Sequence, residues 1–79
     1  MTLEKLLEVS NLEKLSRKFG ESIETIKAGL ESGSIMVYDS LDSLATFYYE
    51  ADLPANECIK EDIKEGVIVY VGFIYYVWL

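Results

Sequence analysis

Leu3, Leu6 and Leu7 fall on one helical face, and Leu12, Leu15 and Phe19 fall on another. At about 100° per residue, one continuous helix would set Leu12 opposite Leu3. The phase breaks at Ser10-Asn11, and Ser10 with Glu13 fits a capping box. The spacing therefore predicts two short helices, over about 2–9 and 11–19. Gly20 reads as a left-handed stop and Ser22 as the next N-cap. Ile23, Ile26 and Leu30 make the apolar face of a third helix over about 22–32, with Glu24, Lys27 and Glu31 outside and Gly33 at its end.

Ile35 to Tyr38 is uniformly apolar and reads as a short strand. Asp39 or Ser40 then caps a helix over about 40–51. Leu41, Leu44, Ala45 and Tyr48 line its core face, and Asp42, Ser43, Thr46 and Glu50 occupy the opposite sector. Pro54 suits the first position of another helix, and Cys58, Ile59, Asp62 and Ile63 allow about one or two turns before Gly66. Val67–Val71 and Ile74–Leu79 read as two strands, and Gly72-Phe73 between them suits a type II′ turn. Helices and strands do not alternate regularly. The expected fold class is α+β, one small domain over 1–79: a helical part, 1–33, and a strand-helix-strand-strand part, 34–79. Its three-stranded antiparallel sheet would carry helices on one face and pack on the amphipathic helix over 40–51.

At 79 residues and 51% hydrophobic, the chain is too apolar for disorder. The uncharged run Val67–Leu79 has 13 residues. A spanning helix needs ~20, so buried strands are expected and no membrane partner is. Met1 to Glu8 carry charges at helical spacing, so no signal peptide is expected. A single cysteine, Cys58, forms no intrachain disulfide and points to a reducing, cytoplasmic setting.

Charge changes the picture most. The net charge is −7, from 14 acidic and 7 basic residues. No basic residue lies between Lys27 and Lys60, whereas Glu31, Asp39, Asp42, Glu50, Asp52 and Glu57 do. A field of one sign points to a basic protein surface as partner, not to nucleic acid. Tyr38, Tyr48 and Tyr49 are interleaved with these carboxylates. A tyrosine beside a carboxylate receives arginine through charge-assisted hydrogen bonds and cation–π contact. The expected partner-binding set is Glu31, Asp39, Asp42, Tyr49, Glu50, Asp52 and Glu57. The bland alternative is a solvated acidic face that serves solubility.

Catalysis is not expected. Histidine is absent, Cys58 has no imidazole partner, and no glycine-rich phosphate loop is present. Asp39 and Asp42 are close in sequence but belong to a solvated helix start. With one thiol and no imidazole, no metal or other cofactor is expected.

Leu15–Leu30 has the pattern of a helix-turn-helix: a helix, a turn at Gly20, and a second helix. A DNA-reading helix here would offer Glu24 and Glu31 against Lys27, and Glu21 stands where that motif carries an apolar residue. The net charge also opposes phosphate attraction. A transcription regulator of a phage or mobile element is the alternative function. A generic acidic interaction domain, self-associating as a homodimer through its aromatic strands, is a third.

IMVYDSLDSLATFYYEADLP and GVIVYVGFIYYVWL, within Ile35–Leu79, resemble the C-terminal part of the ArdA family of antirestriction proteins. Members of that family are acidic, are encoded on phages or mobile elements, and mimic DNA to block type I restriction enzymes. This chain is shorter, with Pro54–Lys64 in place of a longer acidic-aromatic loop. The resemblance implies a single-domain inhibitor or decoy. It would act on the basic nucleic-acid-binding surface of a restriction protein or, by the same physics, of a CRISPR defence protein.

Overall fold

The structure, a computed structural model, describes residues 2–79. Eight elements follow in order: α1 (Leu3–Leu6), α2 (Val9–Phe19), α3 (Ile23–Ser32), β1 (Ile35–Tyr38), α4 (Leu41–Glu50), α5 (Ala55–Glu65), β2 (Ile68–Val71) and β3 (Ile74–Trp78). The fold class is α+β, with an antiparallel sheet of order β1-β3-β2.

Register fixes which residues share a face. Val37 and Val69 flank Tyr76 across the sheet, with Ile35 opposite Trp78 and Val71 opposite Ile74. These residues meet Leu6, Leu12, Leu15, Ile26 and Leu30 in one core. The alternate residues form the other face, where Met36 and Ile68 flank Val77 and Tyr38 and Tyr70 flank Tyr75. Leu44, Tyr48, Ala55 and Ile59 cover that second face. The sheet is thus sandwiched between α1–α3 and α4–α5, where the sequence predicted helices on one face. The strands IVYV and IYYVW, apolar at successive positions, are compatible with cover on both faces.

Several local expectations are corrected. The break between the first helices falls at Glu8, whose extended backbone precedes α2, so Ser10 lies inside α2 and forms no capping box with Glu13. Asn11 closes the break instead, its Nδ2 donating to the Leu6 carbonyl at 2.9 Å and to the Tyr76 hydroxyl at 3.0 Å. Ser40, not Asp39, caps α4, accepting from the Ser43 amide at 3.1 Å. Leu41 is 53% exposed rather than core, because it stands in the first turn, beyond the covered rows. Helix α5 has 11 residues rather than one or two turns. Pro54 stands just before its first turn, and buried Ala55 and Ile59 anchor its inner face. Gly72 and Phe73 have φ of 57° and 65°, so the hairpin turn is type I′, not II′.

Gly29 shows how closely α3 meets the sheet. A Cβ built there would lie 2.8 Å from Cγ1 and Cδ1 of Ile35. The absence of a side chain lets the helix settle against β1.

Candidate functional site

Charge is unevenly divided between the layers. Residues 2–33 hold six acids and five bases, leaving −1, whereas residues 34–79 hold eight acids and two bases, leaving −6. The second part supplies the α4–α5 layer and the sheet, so the acidic field lies with that layer.

Helix α4 sets the geometry. Leu44 and Tyr48 are buried against the sheet, and the Phe47 ring lies 5.7 Å from that of Tyr38 on β1. With this face fixed, Asp42 and Tyr49, seven residues apart, share one outward stripe. Both are exposed, Tyr49 by 61%. Glu50 is also exposed, and burial first, then the Glu50 charge, raises the Tyr38 hydroxyl above its ordinary range. Asp42, Tyr49 and Glu50 thus all lie outside the buried Leu44–Tyr48 face.

The neighbouring carboxylates follow from the chain path. Asp39 is exposed between β1 and the Ser40 cap and does not cap the helix itself. Asp52 takes a left-handed backbone with φ of 57°, which aspartate tolerates better than most residues. Amides of Asp52 and Leu53 donate at 3.0 Å to the carbonyls of Tyr49 and Tyr48, so this turn is fixed. Glu57 lies in the first turn of α5, which has no side-chain cap, and its charge complements the helix dipole there. Glu31 stands apart. It is exposed on α3, in the layer across the sheet. Asp39, Asp42, Tyr49, Glu50, Asp52 and Glu57 lie exposed along one continuous stretch of the chain, and Glu31 lies outside it.

These groups are hydrogen-bond acceptors on a solvated surface, suited to receive guanidinium and ammonium groups. Among the described residues, no cluster of three or more His, Cys, Asp or Glu side chains is placed to hold a metal ion. Cys58 is a free, half-buried thiol packed against the second core. No helix among the described residues is long and apolar enough to cross a membrane.

Sequence reasoning missed a group of exposed aromatics. Phe73 is 83% exposed at the hairpin tip, and its ring stands edge-on to Tyr70 with centroids 6.5 Å apart. Tyr70 in turn lies 4.5 Å from Tyr75. Tyr75 leads into a shallow cleft with Leu41 and Ile63, half of whose surface is exposed. An aromatic residue at a turn position that favours glycine or asparagine was the available signal.

The helical pair α2–α3 forms with Gly20 in the left-handed conformation, and α3 turns Glu24, Lys27 and Glu31 to solvent. Two carboxylates to one ammonium is a poor surface for phosphate. Comparison with known proteins returned no matching protein-family model, no matching curated protein and no matching solved structure.

Proposed function

We propose that this protein is a non-catalytic acidic inhibitor whose α4–α5 layer occupies a basic, nucleic-acid-binding groove of another protein. The observation that carries the reading is the segment from Asp39 to Glu57. It holds five carboxylates and no basic residue, and all five are exposed. Asp42 and Tyr49 are both exposed on α4, about two turns apart, a carboxylate and a phenol of the kinds that receive arginine.

Magnitudes limit the mimicry. The molecule is 34 Å long, and duplex DNA of that length carries about 20 phosphate charges, at one per ~1.7 Å of axis. Five carboxylates replace only a short stretch of such a groove's ligand. The decoy is therefore local, and its affinity needs neutral contacts beside the charges. The resemblance of Ile35–Leu79 to antirestriction proteins makes a type I restriction enzyme the first partner to examine, and a CRISPR effector the second.

A mobility-shift experiment tests the reading against a DNA-binding regulator. The protein is expected not to shift random duplex DNA at moderate salt, and to release such DNA from the defence protein. Tight binding of the protein itself to the duplex would overturn the proposal and favour the α2–α3 helix-turn-helix reading.

A further inference from the structure

We propose that the free edge of β1 takes up an extended segment of a partner protein as a fourth strand, and that this segment carries lysine or arginine. The inference rests on the decoy reading only in naming whose segment it is: the basic protein that α4 meets. The strand order leaves β1 and β2 at the two edges of the sheet. Backbone groups that face away from a sheet at its edge are what a strand of another chain can pair with.

Hydrogen-bond phase shows which groups those are. The Leu79 amide donates to the Ser34 carbonyl at 2.9 Å, and Ile35 lies opposite Trp78 in the register. Bonded pairs alternate along an antiparallel ladder. Met36 and Tyr38 therefore bond to β3, whereas the amides and carbonyls of Ile35 and Val37 point away from it. No other backbone group among the described residues bonds to these four. The edge is also open. Met36, Val37 and Tyr38 are half-buried, and Asp39 beyond them is exposed. The register with β3 is regular, and IMVY holds neither a charge nor a proline, devices that commonly protect an edge. The β2 edge differs. Ile68 and Tyr70 point outward there, since the Trp78 amide bonds to Val67, but Ile68, Val69 and Val71 are buried and only Tyr70 is exposed.

Charge selects the occupant. Helices α3 and α4 pack on β1 from the two faces of the sheet. Together with the end of the strand they carry Glu24, Glu31, Asp39, Asp42 and Glu50 against Lys27, all exposed. A second copy of this chain would bring the same acids to the edge and be repelled, whereas a strand bearing cations is attracted. Side chains opposite one another across a ladder share a face. The residue paired with Tyr38 thus comes to lie beside its ring, which stands 5.7 Å from that of Phe47. The Glu50 charge acts on the Tyr38 hydroxyl, so a lysine or arginine at that position meets both an aromatic face and a carboxylate field. Main-chain pairing supplies the fit of such a segment, and the acids around the edge set its sign.

The test is an amide-shift NMR titration of the full chain, at moderate salt, with capped peptides of about seven residues, within the usual length of a strand. One alternates lysine and valine, a second replaces each lysine by glutamate, and a third is the first N-methylated at every backbone amide. The lysine–valine peptide is expected to shift the Val37 and Asp39 amides saturably, with a Kd on the order of 1 mM, and to slow hydrogen exchange at Val37. The glutamate peptide should bind at least about tenfold more weakly because its charge is wrong. The methylated peptide should lose as much, because it keeps the charge but has no amide donors. Val37→Pro removes the outward amide without removing a β1–β3 bond, and should weaken the lysine–valine peptide by about fivefold or more. The methylated comparison uses the wild-type protein, so it decides the matter even where Val37→Pro disturbs the fold. Equal binding of the methylated or the glutamate peptide, shifts spread over the acidic layer without a focus at β1, or no saturable shift up to about 10 mM would overturn the proposal. A protein that releases DNA but takes up no peptide loses this proposal alone, and one that takes up the peptide but releases no DNA loses the decoy reading alone.

Discussion

The hydroxyl of Tyr48 on α4 donates to the Asp62 carboxylate on α5, tying the two helices of the acidic layer together. Tyr48 is buried and Asp62 half-buried, so this carboxylate serves the fold rather than the surface field. Tyr48→Phe keeps the ring and removes the bond. It is expected to cost about 1–2 kcal/mol, the range for a hydrogen bond to a partly solvated charged acceptor. Urea denaturation reads this directly. A variant as stable as the wild type would show that the bond adds nothing net.

The same phenol sets an alkaline limit. Burial raises the pKa of Tyr38, Tyr48 and Tyr76, and the Asp62 bond raises Tyr48 further. In the unfolded chain these groups ionise near the ordinary value of about 10. A folded pKa above the unfolded one contributes stability that is complete below about pH 10 and is lost as pH climbs toward the folded value. The urea midpoint should therefore fall between about pH 9 and pH 11.5. The fall should be shallower in Tyr48→Phe. An equal slope in both proteins would assign the loss to other groups.

Leu44 is fully buried between α4 and the sheet. Leu44→Ala should cost ~2–5 kcal/mol, enough to unfold much of so small a domain. Thermal melting by circular dichroism measures it. A melting point close to that of the wild type would contradict the packing of α4.

Much of this fold was legible in the chain. The stripe of Leu44 and Tyr48, the cap at Ser22 and the stop at Gly20 each follow from local chemistry, and each stands where the sequence places it. What local chemistry hides is which partner covers a face. Strands apolar at every position suit either one covered face with exposed aromatics or two covered faces, and only α1–α3 packing across the sheet from α4–α5 decides. The capping-box pattern at Ser10 misled for a similar reason. Asn11 reaches Tyr76, 65 residues away, and no local rule anticipates that contact. Within the candidate site, the types and exposure of the acidic residues were legible. The separation of Glu31 from the rest, across the sheet from α4–α5, depends on tertiary packing.

Gly29→Ala reports on the helix–strand contact. On an exposed helix the change would favour folding by about 1 kcal/mol. Here the new methyl meets Ile35, itself buried, at 2.8 Å. A net loss of about 1–3 kcal/mol is expected, as for an overpacked core. A gain in stability would mean that α3 sits farther from β1.

The central claim is that the α4 surface occupies a basic groove in place of nucleic acid. Asp42→Asn with Glu50→Gln removes two exposed charges while keeping shape, and such surface changes usually alter stability by less than ~0.5 kcal/mol. Asp39 is left intact as the link from β1 to the α4 cap. The direct measurement is release of labelled duplex DNA from a type I restriction enzyme, and in parallel from a CRISPR effector, at low and moderate salt. Wild-type protein is expected to release the DNA from one of them, more weakly at moderate salt. The double variant should need a several-fold higher concentration and show a shallower salt dependence, because both charges contribute to steering. No release by the wild type from either protein, or equal release by a normally melting double variant at both salts, would contradict the claim.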